Sequence, residues 1–179
     1  MKVLVACEFS GRVRDAFLKK GHDAYSCDLL FNDSDRHHQC DIRDILYEEW
    51  GLIIAHPPCT ALCVSGNRHY AGTRAREEAV EFFRMFLDAP CPKICVENPV
   101  GVISTAIRPP DQYIQPWQFG HGETKKTGLW LKNLPKLLPT DIVEGREQRI
   151  WKMSPSPERG YLRSITYQGI ADAMADQWG

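Results

Sequence analysis

Four short runs dominate what this chain can fold into: KVLVAC (2–7), HDAYSCD (22–28), LIIAH (52–56) and KICVEN (93–98). Each is of strand length and bounded by polar or turn residues, and two of the four are almost wholly apolar, which reads as buried strand. Between the first two, RVRDAFLKK (12–20) places Val13, Ala16 and Phe17 at helical spacing until Gly21 stops the pattern. Before the last, RAREEAVEFFRMFLDA (74–89) carries an apolar stripe of Ala79, Phe82, Phe83, Phe86 and Leu87, closed by Pro90 and Pro92. CDIRDI (40–45) reads as a short strand edge or turn. Strands alternating with helices predict an α/β fold built on an open, mostly parallel sheet. Such sheets bind ligands at the carboxyl ends of their strands.

A chain of 179 residues with 43% apolar and 25% charged residues is expected to be one soluble domain, residues 1–179. The formal net charge of −1 supplies no global pull toward nucleic acid, although a local basic face remains open. No run of 18 apolar residues predicts a membrane helix. MKVLVACEFS meets charge too early for a signal peptide, so a cytoplasmic location is expected. Seven cysteines is an odd count for a disulfide framework, and Cys7, Cys27 and Cys95 lie in apolar runs, which fits a reducing compartment. The CxxxC pairs Cys59/Cys63 and Cys91/Cys95, and the cluster His37, His38 and Cys40, lack the CxxC spacing of a structural zinc module, so no metal is expected.

The second half is less regular. GLWL (128–131) reads as a strand, 132–163 as a proline-broken loop, and 166–178 as a closing helix starting after Gly169. Residues 132–166 are expected to be a short irregular insert.

Polar residues gather at the expected strand ends: Glu8-Phe9-Ser10-Gly11, Asp28, Pro57-Pro58-Cys59 and Glu97-Asn98-Pro99. Pro57 and Pro58 stiffen the strand exit. A cysteine presented there, near a helix N-terminus, can have a lowered pKa and act as a nucleophile; it can equally be a half-buried loop cysteine. Glu97 at the end of a buried strand is expected to be desolvated and raised in pKa, which suits a proton donor; the plainer reading is a carboxylate capping a loop. His56 is expected to make a structural hydrogen bond. Segment 60–73 has flexible residues Ser65-Gly66-Asn67, and Arg68, His69 and Tyr70 there are candidates for closing over a substrate.

Taken together, HPPCT with Cys59 and VENPVG with Glu97 resemble the Pro-Cys and Glu-Asn-Val motifs of DNA (cytosine-5)-methyltransferases, in that family's order. ACEFSG (6–11) resembles its first motif, Asp28 its ribose-holding acid, CDIRD (40–44) its Asp-Ile motif, and QGIADAM (168–174), loosely, its last motif. The resemblance implies a Rossmann-like S-adenosylmethionine-dependent methyltransferase fold. It implies that Glu8, Phe9, Ser10, Gly11, Asp28, Asp41, Ile42 and Pro57 bind S-adenosyl-L-methionine, and that Cys59, Glu97 and Asn98 are catalytic. Substrate contacts fall to Pro58, Thr60 and Arg68, with Lys125 and Lys126 as the nearest candidates for the family's later arginine motif. The implied reaction is attack of the Cys59 thiolate on C6 of cytosine, protonation of N3 by Glu97, methylation at C5 and elimination of the cysteine. Inside DNA the base must first be flipped out.

The chain departs from that pattern. Arg12-Val13-Arg14 follow Gly11 where the family is richer in glycine, and Thr60 stands where it has Gln. Only 132–166 occupies the place of a long target-recognition region, with Arg146, Arg149, Lys152, Arg159 and Arg163 among Trp151 and Tyr161. Compact chains of this kind are, by resemblance, typical of phages, acting in a bacterial or infected host cell. The partner is expected to be duplex or single-stranded DNA, with a nucleotide as alternative, and a homodimer or a separate specificity subunit stays open. Rival readings are an amino-methyltransferase, which gives Glu97 no role, modification of a free pyrimidine nucleotide, and a degenerate fold serving as a DNA-binding subunit.

Overall fold

The computed structural model describes all 179 residues. The elements are β1 (Lys2–Ala6), α1 (Arg12–Lys19), β2 (Asp23–Asp28), β3 (His37–Gln39), β4 (Leu52–Ala55), α2 (Asn67–Tyr70), α3 (Arg74–Leu87), β5 (Ile94–Pro99), α4 (Ile103–Ala106), β6 (Gln112–Ile114), β7 (Thr127–Lys132), α5 (Arg149–Lys152), α6 (Arg159–Ser164) and α7 (Gln168–Trp178). One seven-stranded sheet runs in the order β3-β2-β1-β4-β5-β7-β6. The pairs from β3 to β5 are parallel, while β7 and β6 pair antiparallel. The strand order reverses between β1 and β4, which makes that crevice the natural ligand site of the sheet.

The apolar runs are buried on both faces, and the side chains alternate between two cores. Val3, Val5, Leu52, Ile54 and Cys95 face the core shared with α1 and α7, whereas Leu4, Ala6, Ile53, Ala55, Ile94 and Val96 face the core under α3. In the second core Phe83 of α3 meets Trp130 of β7 edge-on at 5.0 Å. Closing the first, α7 lies against α1 and buries Ile170, Met174 and Trp178.

Several expectations need correction. The edge strands β3 and β6 went unforeseen because three polar-rich residues carry no periodicity. α7 begins at Gln168, not after Gly169; that glycine is instead a close-approach point, since a Cβ there would fall 1.9 Å from the Phe119 carbonyl oxygen. The span 132–166 holds the short helices α5 and α6 rather than loop alone. No helix is long and apolar enough to cross a membrane.

Candidate active site

The corner after β4 is built from backbone upward. His56 N–H donates to the Ala6 carbonyl at 2.9 Å, then Pro57 and Pro58 end the pairing. The Cys59 carbonyl accepts from Leu62 and Cys63 N–H at 2.9 and 2.8 Å, so the chain turns tightly straight after the cysteine. Asn98, buried in β5, donates from Nδ2 to the Pro57 carbonyl at 2.9 Å. Beyond it, Val64 N–H reaches the Val100 carbonyl and Val102 N–H the Leu62 carbonyl. A Cβ on Gly101 would lie 2.0 Å from the Leu62 oxygen, so the β5 exit and the Cys59 turn touch backbone to backbone. The segment expected to flex is therefore pinned: Gly66 is buried against the Thr60 carbonyl, while Arg68 and His69 on α2 are exposed. Arg68 lines none of the site's cavities, and Thr60 is exposed beside them.

Glu97 is largely buried, its side chain 18% exposed, and His56 Nδ1 lies 3.0 Å from its Oε2. Burial alone would push the carboxyl up. The His56 ring, the Lys125 charge and the Thr127 hydroxyl outweigh burial and hold the carboxyl below its ordinary range. This corrects the expectation of a raised, proton-bearing Glu97. An ionised carboxylate only accepts, so His56 Nδ1 carries the hydrogen. The second ring nitrogen, Nε2, is buried without a partner.

The thiols divide unexpectedly. Cys59 is pushed well up, first by its hydrogen bond with Cys63, then by burial and by the charges of Cys63 and Glu97; Lys125 offsets this only in part. Cys63 is pulled down by the bond from Cys59, by Ser65 Oγ at 3.1 Å and by the Gly66 N–H, against its own burial. The raised Cys59 thiol is contrary to the expected low-pKa nucleophile: it has a carboxylate near it and a tight turn after it, not the N-terminus of a substantial helix. Glu97 and Lys125 each act on Cys59, so the sulfur and the carboxylate converge on one region.

Two hollows flank this point. A groove of about 570 Å³ is lined by Cys59, Cys63, Lys125, Lys126, Trp151 and Arg163, among others. Lys125 also lines the small hollow in front of Glu97. On the other side of the corner a cavity of about 150 Å³ is lined by Cys7, Asp28, Leu29, Asp41, Ile42, Pro58 and Phe82. Asp28 spends Oδ1 on the Leu30 N–H at 2.9 Å, leaving its other oxygen for a ligand. Asp41 caps the turn 42–44 through the Arg43 N–H, which lowers its pKa. Cys7 lies at the crevice in a left-handed backbone conformation, φ 57°, and burial with Asp28 and Asp41 nearby pushes its thiol up to about 12. Strained residues of this kind concentrate at functional sites. Its position inside an apolar run hid Cys7 from sequence reasoning, and Cys63 had shown itself only as half of a CxxxC pair.

The expected first-motif residues go elsewhere. Glu8 is buried and its Oε1 accepts from Ser10 Oγ and from the Val13 N–H, holding the start of α1, while Oε2 has no partner. Phe9 is buried against Tyr161 of α6, ring centroids 4.3 Å apart. Gly11, φ 74°, carries the Arg14 guanidinium where a Cβ would sit. Neither these four residues nor Pro57 line the Asp28 cavity; Pro58, expected on the substrate side, does.

Solved structures share this fold. A prophage-encoded protein of E. coli described as a candidate DNA modification methyltransferase superposes with a TM-score of 0.56 at 14% identity, covering 87% of this chain and 55% of that one. The fold is that of S-adenosylmethionine-dependent methyltransferases. The S. pombe Dnmt2 methyltransferase gives 0.51 at 15% identity over 87% and 54% of the two chains. The Entamoeba histolytica methyltransferase EhMeth gives 0.50 at 12% over 83% and 57%. The chain thus spans a little over half the length of these methyltransferase-fold proteins. No protein-family model and no curated protein matches the sequence.

Proposed function

We propose that this protein transfers a methyl group from S-adenosyl-L-methionine to C5 of cytosine in DNA, through a covalent adduct of Cys59 at C6. The observation that carries the reading is the convergence of Cys59 and Glu97 from the ends of adjacent parallel strands, tied by the Asn98–Pro57 bond, with Lys125 beside both.

The residues around the 150 Å³ cavity fit the nucleoside part of the cofactor. Leu29, Ile42, Pro58 and Phe82 offer apolar walls to a flat base, and the free oxygen of Asp28 suits a ribose diol. When bound, the group supplies an electrophilic methyl.

The chain's own residues supply the rest. Ionised Glu97 accepts from the exocyclic amino group of cytosine and fixes the ring. As the Cys59 sulfur adds to C6, its proton passes by way of Glu97 to N3, so no net charge is stranded on the ring. A neutral thiol beside a carboxylate is the protonation state this transfer needs. After methylation the C5 proton leaves to solvent, and N3 returns its proton by way of Glu97 to the departing Cys59 sulfur, which restores the aromatic ring. Lys125 steadies the negative charge throughout.

The test incubates the protein with labelled S-adenosylmethionine and single-stranded or duplex DNA, followed by digestion to nucleosides. Labelled 5-methylcytosine, absent with Cys59→Ala, is expected, together with a stable adduct on 5-fluorocytosine DNA. Product on dCMP alone would move the substrate to a free nucleotide, and label on an exocyclic nitrogen would reject the mechanism.

A further inference from the structure

We propose that the 570 Å³ groove beside the two thiols docks an unpaired polynucleotide strand, with Trp151 as the surface on which a base next to the reacting one stacks. The inference rests on the reading above and names the form of nucleic acid it acts on. The whole chain has 23 acidic and 22 basic residues, yet the lining of this groove includes Lys125, Lys126 and Arg163 and no carboxylate. Lys125 Nζ is occupied, donating to the Arg163 carbonyl at 2.9 Å. Lys126 Nζ is poised over the Tyr113 ring at 4.3 Å, and the Arg163 guanidinium makes no hydrogen bond or ion pair within the protein. Two cations are therefore available to phosphates.

Trp151 is 75% exposed, the most exposed of the large apolar side chains. It nonetheless sits on a short helix that is anchored. Its neighbour Ile150 is buried, and Arg149 bonds both oxygens of Glu123 at 3.0 Å while Tyr167, beside α7, donates to Glu123 at 2.6 Å. With the helix anchored, only the rotamers of the indole itself have to be ordered on binding. In a duplex, each base has both faces covered by its neighbours. An unpaired strand offers those faces freely, and aromatic stacking together with backbone cations is how proteins hold such strands. The exposed Val64 and Val100 extend the apolar lining, and a groove of this size falls within the range of about 300–1,000 Å³ typical of ligand sites.

The experiment measures fluorescence anisotropy of the intact protein, without cofactor, on a labelled oligo-dC strand, on its duplex, and with dCMP as competitor. The single strand is expected to bind tightest, with a log K against log salt slope of about −1.4 for two neutralised phosphates. Trp151→Ala should weaken binding about tenfold, Trp151→Phe should restore most of it, and the melting temperature should not change. Equal or tighter duplex binding, dCMP binding as tight as the strand, unaltered binding by Trp151→Ala, or no oligonucleotide binding each overturns the proposal. Methylation of DNA without a single-strand preference defeats this inference alone. Strand binding without methyl transfer supports it and defeats the proposed activity.

Discussion

Replacing His56 with alanine tests what keeps Glu97 ionised inside the protein. The side chain is 8% exposed, and its Nδ1–H is the nearest donor to a carboxylate that burial would otherwise neutralise. A hydrogen bond to a charged group contributes about 1.5–3 kcal/mol. Removing the ring also removes a buried, unpartnered Nε2, whose relief offsets about 1 kcal/mol. Lost packing of the ring adds back a similar amount, so the net cost is about 2 kcal/mol. At about 2–4 °C per kcal/mol for a chain of this size, the melting point should fall by about 4–8 °C at neutral pH. The pH dependence carries the sign. A carboxyl whose folded pKa lies below its ordinary value stabilises fully above that value, and the stabilisation fades as pH falls through the folded pKa. The gap between wild type and His56→Ala should thus be full at pH 7 and close in acid, below the ordinary carboxylate value of 4.5. The acidic limb of the activity profile should move to higher pH in the variant. Urea melts from pH 7 down to acid measure the first effect and initial rates the second. A gap that stays constant into acid, or an unmoved acidic limb, would refute the account of how Glu97 is held.

Other consequences are direct. Asn98→Ala removes the bond to the Pro57 carbonyl and should cost about 1–3 kcal/mol by urea melt, with a loss of methyl transfer larger than the loss of fold. Peptide mapping after limited iodoacetamide treatment should find Cys63 alkylated before Cys59, because its thiol is pulled down while that of Cys59 is pushed up; Cys63→Ala should then quicken alkylation of Cys59. On the proposed reading, Asp28→Ala should raise the KM for S-adenosylmethionine about tenfold and leave kcat within a factor of about two, since its free oxygen would meet the nucleoside and not the reacting carbon.

The chain order of apolar runs and helical stripes was enough to place β1, β2, β4, β5, α1 and α3, because a strand buried on both faces must be apolar along its length and can be read without neighbours. It also placed reactive residues at the strand ends, since a parallel sheet leaves them nowhere else to go. The protonation states were beyond it. Glu97 and Cys59 each moved in pKa opposite to the expectation, because that direction depends on which partners arrive from elsewhere: His56 across the strand pair, Cys63 around the turn, and Lys125 from beyond β6.

Tertiary packing also decided which strand-end residues form a cavity. Glu8, Phe9 and Gly11 read as a ligand cradle, yet they are taken up by the start of α1, by Tyr161 and by Arg14, while Cys7 and Pro58 line the cavity instead. Local sequence determines where a chain is buried and where it turns, since those follow from apolar spacing and restricted backbone angles. Which polar atoms end up charged, paired or left open to a ligand is set by contacts around tight turns and between distant strands, and only the folded chain brings those together.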